Sequence, residues 1–134
     1  MKTFKTFLAG MAFPAIFLPF LYSYLFLQGN PATTQAPIAL GVHFAPILVG
    51  LWSVLAIKLG NYIFFKDTRL MCTSSGLILG IIVGVIATFV YPLFETLFGL
   101  EGALRYFPLI FYPILFSLIF RFVVHPLNKS FGVY

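Results

Sequence analysis

Three ionisable side chains stand at the edges of long apolar stretches in this sequence: His43, Glu95 and Arg105, with Tyr91 and Tyr106 close by. An ionisable group carried into lipid is costly, so each is a candidate for ion or proton handling. If helices carry the apolar stretches, all three fall at a similar depth near one membrane face. A polar cluster His43–Glu95–Arg105 is then geometrically feasible. The simpler arrangement has Glu95 and Arg105 reach to the interface and pair across a hairpin. Lys58, with Asn61 one turn later, falls near the opposite face, where a modest helix tilt brings its amine to water. Arg121 and His125 read as ordinary boundary residues.

Other chemistry finds little to build on. The sequence has no H-x-x-x-H, H-E-x-x-H, C-x-x-C, G-x-S-x-G or phosphate-loop spacing. Its two histidines fall at opposite faces and cannot share one haem. Cys72 is the only cysteine, so it has neither a disulfide partner nor a second thiolate for a metal, and it reads as a passive small residue. Only three acidic residues occur, too few for an acid–base pair of any obvious kind. Neither an enzyme nor a cofactor or metal is expected.

The elements that must position these residues are read from hydropathy. Hydrophobic residues make up 61% and charged residues 8% of the 134-residue chain, and its mean hydropathy is +1.06. Soluble domains carry about a quarter charged residues. Four apolar blocks run over about 7–27, 38–65, 76–98 and 107–124, each near the roughly 20 residues a spanning helix needs. Period-two alternation is absent, and a barrel strand would need only about 10 residues, so helices are the better reading. The expected fold is all-α: one polytopic domain over 1–134, with four transmembrane helices, short hinges and proline kinks at Pro14, Pro19, Pro46, Pro92, Pro108 and Pro113. Ser23 and Ser117 are expected to satisfy carbonyls freed by the prolines. Trp52, mid-helix, should pack inside, while Tyr22, Tyr24, Tyr62 and Tyr106 suit the interfacial belts.

The third block carries a four-residue repeat of small side chains: Cys72, Gly76, Gly80, Gly84 and Thr88. Such a G-x-x-x-G face lets backbones approach closely, which is how helices associate in lipid. It serves either internal packing, with Gly41 and Ala45 of the second block as a candidate partner, or a seam between copies. A further pattern is the ungapped match of Phe13–Phe26 to Phe107–Phe120, identical at eight of fourteen positions. Inverted transporter repeats would pair the first block with the third and the second with the fourth. A first-with-fourth match reads as coincidence or shared structural need.

Threading follows from charge. With both termini in the cytoplasm, Lys2, Lys5, Lys58, Lys66, Arg69, Arg121 and Lys129 lie inside and only Arg105 outside, seven of the eight cationic residues. The net charge of +5 is then matched to anionic inner-leaflet lipid, and no soluble basic face remains for nucleic acid. The stretch after Lys5 is about 20 residues, longer than the ~7–15 of a signal peptide core, and a cut after Ala36 would abut Pro37, so a retained helix is expected. The function expected is that of a structural or accessory subunit of a bacterial inner membrane, docking on another subunit or on itself. A small oligomeric transporter or channel around Glu95 is the alternative. A reporter active only in the cytoplasm, fused after Tyr134, should give signal, and a periplasm-active one should not; the opposite pattern would overturn the charge argument.

Overall fold

A computed structural model of the chain describes residues 1–63, 67–92, 95, 99 and 101–134, the side chains of 61–63 excepted. The expected ends of the second block at Phe65 and of the third at Phe98, the charge of Lys66, and the side chains of Asn61 and Tyr62 lie outside the described residues. Among the described residues every regular element is helical. Four stretches are long and apolar enough to cross a membrane: Lys2–Leu27, Ala36–Gly60, Thr68–Val90 and Gly102–Ser130.

Helix α1 spans Lys2–Leu27 and α2 spans Ala36–Ile63, joined through a short 3-10 turn, Pro31–Thr34, that Asn30 caps by accepting from the Ala32 N–H at 2.9 Å. Tyr22 donates to the Thr33 carbonyl at 2.8 Å and ties this turn to α1. Helix α3 covers Thr68–Val85, beginning two turns before the expected Gly76. Asp67 accounts for the difference: its carboxylate accepts from the Leu70 N–H at 3.0 Å, a side-chain cap that the sequence offers just ahead of Thr68.

After Val85 the helix widens into a π-turn, Ile86–Val90, and Tyr91 is extended at φ −139°, ψ 104°. The residue before a proline is driven out of the helical region. Pro92 therefore terminates the third helix instead of bending it, and Glu95 stands beyond its end. Pro14, Pro19, Pro46 and Pro113 do lie inside helices.

Helix α4 spans Pro108–Ile119, with Pro108 in its first turn, where a missing N–H leaves nothing unmade. Ser117 donates to the Pro113 carbonyl at 2.6 Å, four residues back, so it does not serve the Leu109 carbonyl that Pro113 leaves without its donor. A second π-turn, Phe120–Val124, leads directly into α5, His125–Ser130. The fourth span thus continues past its expected end at Val124. Pro126 falls in the first turn of α5, where the wide turn has already displaced the helical ladder that its ring would break.

The helices pack as two antiparallel pairs, α1 with α2 and α3 with α4. Glycine sets both contacts. A Cβ on Gly50 would stand 2.7 Å from the Phe7 ring, and one on Gly10 would stand 2.9 Å from the Val49 carbonyl oxygen. In the second pair a Cβ on Gly84 would lie 2.8 Å from the Pro108 carbonyl oxygen, while Cβ atoms on Gly76 and Gly80 would strike the Phe116 carbonyl and the Pro113 backbone. The small face of α3 is therefore covered by the proline face of α4. Gly41, the partner expected from the sequence, meets nothing within 4 Å.

Between the pairs, Met71 sits against Gly60, and the half-buried Trp52 donates its indole N–H to the Ser75 carbonyl at 3.1 Å. Val49, Leu79, Ile119, Phe120 and Val124 form the central core, with Phe13 and Phe116 packed against it. Because the α4 backbone lies directly over Gly80, Gly80→Leu should lower stability by about 1–3 kcal/mol or more, the usual cost of overpacking. Thermal loss of helicity in mild detergent measures this, and an unchanged midpoint would contradict the packing described.

Candidate functional site

A group of polar side chains gathers where α1 begins and α5 ends. Helix α5 places His125 and Asn128 three residues apart, and its C-terminus closes with Gly132 at φ +67°. The Gly132 N–H reaches the Lys129 carbonyl at 3.1 Å and the Val133 N–H the Asn128 carbonyl at 2.9 Å. This pair of bonds around a left-handed glycine is the Schellman closure of a helix. It turns Phe131–Tyr134 back over the bundle, where Lys5 of α1 donates to the Phe131 carbonyl at 3.0 Å.

The reversal brings the Tyr134 hydroxyl 2.9 Å from the Cys72 thiol and 3.1 Å from His125 Nδ1, with the two rings 5.3 Å apart. A phenol therefore bridges a thiol on α3 and an imidazole on α5. Behind it, Ser75 donates to the Cys72 carbonyl at 3.2 Å, and the same residue's carbonyl receives Trp52. Asn128 is wholly enclosed, at 0% exposure. It faces Cys72 and Tyr134 closely enough to influence both, yet among the described residues neither its Nδ2 nor its Oδ1 meets hydrogen-bond geometry. The slot between Ser53, Cys72, Ser75 and Asn128 is too tight for a water molecule. Ser53 Oγ, also buried, has no partner among the described residues.

Burial, reinforced by the neighbouring Cys72, pushes the Tyr134 hydroxyl above the ordinary tyrosine range. Among the described residues, no three His, Cys, Asp or Glu side chains come together as a metal site. The chemistry available is that of a hydrogen-bonded latch: neutral donors and acceptors join α3, α5 and the C-terminal turn, and the Lys5 ammonium ties in α1, with the Cys72 thiol enclosed at 3% exposure.

The residues singled out from the sequence lie elsewhere. Gly76, Gly80 and Gly84 line the α3–α4 contact, and Thr88 is buried with its hydroxyl unpartnered among the described residues. His43, on an exposed face of α2, lies 2.7 Å by Nδ1 from the Ala39 carbonyl. The Arg105 guanidinium sits over its neighbour Tyr106 at 5.6 Å, and its buried Nε has no partner among the described residues. The Glu95 carbonyl accepts from the Gly99 N–H at 2.9 Å. No ion pair among the described residues joins His43, Glu95 and Arg105, and Tyr91 instead donates to the Gln35 side-chain carbonyl of the first turn.

The latch escaped the sequence reading, although Ser130-Phe-Gly-Val133 is a C-terminal glycine signal that extends the last helix to where Asn128 and Tyr134 meet Cys72. Comparison with known protein families, with curated proteins and with solved structures returns no match to this chain.

Tyr134→Phe removes both bonds of the bridging hydroxyl, so maleimide should modify Cys72 faster in the variant than in the parent chain. The raised Tyr134 pKa adds a pH signature. The folded chain keeps this proton where the unfolded chain has lost it, so stability is undiminished below about pH 10 and falls as pH rises beyond that. Tyr134→Phe should flatten the alkaline decline; identical alkaline curves would place the hydroxyl in water.

Proposed function

We propose that this chain is a small integral membrane subunit that works by packing against another transmembrane helix, supplied by a second copy or by a partner subunit. The observation that carries this reading is Gly41. Among the described residues, Gly10, Gly50, Gly60, Gly76, Gly80 and Gly84 each have another helix pressed against them. Two glycines within the four spans are open: Gly102, whose φ of +65° serves the turn that begins the fourth span, and Gly41, which lies inside the α-helix. Gly41 and Ala45 together form a small-x-x-x-small step on α2. In lipid such a step favours a close helix neighbour, because contact between backbones replaces the hydrophobic drive that water would supply.

Charge supports the setting. The cationic side chains at the Lys5–Phe131 end match the side of a bilayer that faces a bacterial cytoplasm, with both termini there. The reading assigns no reaction to the chain. A transport path would use polar groups at successive depths, and here Ser75 and Ser117 spend their hydroxyls on carbonyls of their own helices.

Gly41→Leu tests the proposal, because it adds bulk where nothing lies within 4 Å. The variant should keep the thermal midpoint of the parent chain and lose its oligomer or its co-purifying subunit in mild detergent. If Gly41→Leu leaves association intact, the α2 face is a lipid surface and the reading fails.

A further inference from the structure

We infer that the chain binds the phosphate-bearing headgroup of an anionic phospholipid in a cavity between the start of α1, the end of α2 and the C-terminal turn. The cavity has a volume of about 200 Å³, many times the ~10–15 Å³ that a single water needs. Lys2, Thr3 and Thr6 line it from α1, Val54 and Lys58 from α2, and Val133 from the C-terminal turn.

Two lysines thus line one space, and among the described residues neither has a side-chain carboxylate partner. Asp67 is committed to capping α3, and Glu95 and Glu101 belong to the connection at the far end of the bundle. Like charges held together at a membrane boundary favour an anion between them, and a phosphate oxygen suits the compact ammonium of lysine. Val54 and Val133 give the same cavity an apolar wall. A free phosphate has no use for that wall, whereas the glycerol and first methylenes of a phospholipid do. Lys5 acts as a positioning residue, since its bond to the Phe131 carbonyl holds the turn that carries Val133.

The test uses the full chain in neutral detergent, with native mass spectrometry counting retained lipid. Phosphatidylglycerol and phosphatidic acid should be retained in preference to phosphatidylcholine, and inorganic phosphate should not displace them. Lys2→Gln combined with Lys58→Gln should weaken retention roughly tenfold or more. Arg121→Gln combined with Lys129→Gln, equal in charge removed but away from the cavity, should not. Val54→Phe, which fills the cavity and leaves the charges in place, should weaken retention as well. Equal loss from the two charge pairs would reduce the effect to general surface attraction and overturn the site. Full retention in Val54→Phe would overturn the cavity, and ready displacement by inorganic phosphate would overturn the lipid assignment.

Discussion

Contact between helix backbones at glycine is the constraint on which this bundle depends. In water, burial of apolar side chains would draw the helices together, but in a bilayer, which these four helices are long and apolar enough to cross, the same side chains are equally content in lipid. Only close approach distinguishes a partner helix from an acyl chain, and dispersion falls off so quickly that a gap of an ångström forfeits much of it. Gly10 and Gly50 bring α1 and α2 to that distance, and Gly76, Gly80 and Gly84 do so for α3 and α4. Proline on α4 is part of the same device. Its rigid ring leaves no N–H to satisfy and, at Pro113, presents backbone instead of a long side chain to Gly80.

The latch at the basic end solves a different problem. Two helix pairs that meet through few contacts need something directional to hold their relative placement, and hydrogen bonds supply direction where packing does not. Trp52 to Ser75, Cys72 to Tyr134 and Lys5 to Phe131 each cross between separate segments of the chain. The enclosed Asn128 amide sits among them without a hydrogen-bond partner among the described residues, an arrangement that costs a buried amide about 1–3 kcal/mol. Groups retained at such a cost specify an arrangement more than they strengthen it.

Much of the fold was legible because lipid imposes a coarse rule: about twenty apolar residues make a span, and four such blocks are plain in the sequence. The small face of α3 was equally legible as a four-residue repeat. What covers it was not, because periodicity shows that a face is smooth without showing which neighbour lies on it, and Gly41 and Ala45 looked as suitable as Pro113. Element ends were decided by single residues that hydropathy ignores: Asp67 capping α3, Pro92 stopping it, and Gly132 closing α5. The latch was hidden for the same reason. Tyr134 meets Cys72 only once a reversed turn is placed at the end of a helix longer than its apolar run. His43, Glu95 and Arg105 share a depth in the sequence reading, but similar depth does not imply adjacency, and among the described residues no ion pair joins them.

The reversed C-terminal turn also bears on how the molecule is assembled in time. The tight contacts of each pair join segments adjacent in sequence, so each pair closes a short loop and can form as soon as its second helix emerges. The bond from Lys5 to Phe131 closes a loop of 126 residues, and it cannot form before Phe131 has been made. The reversed turn therefore ties α1, the span with least of its surface buried inside the protein, to the other pair only after both pairs can have closed. A nascent chain passes through a stage with two finished hairpins not yet tied to each other, and emergence of the reversed turn is the step that ends it.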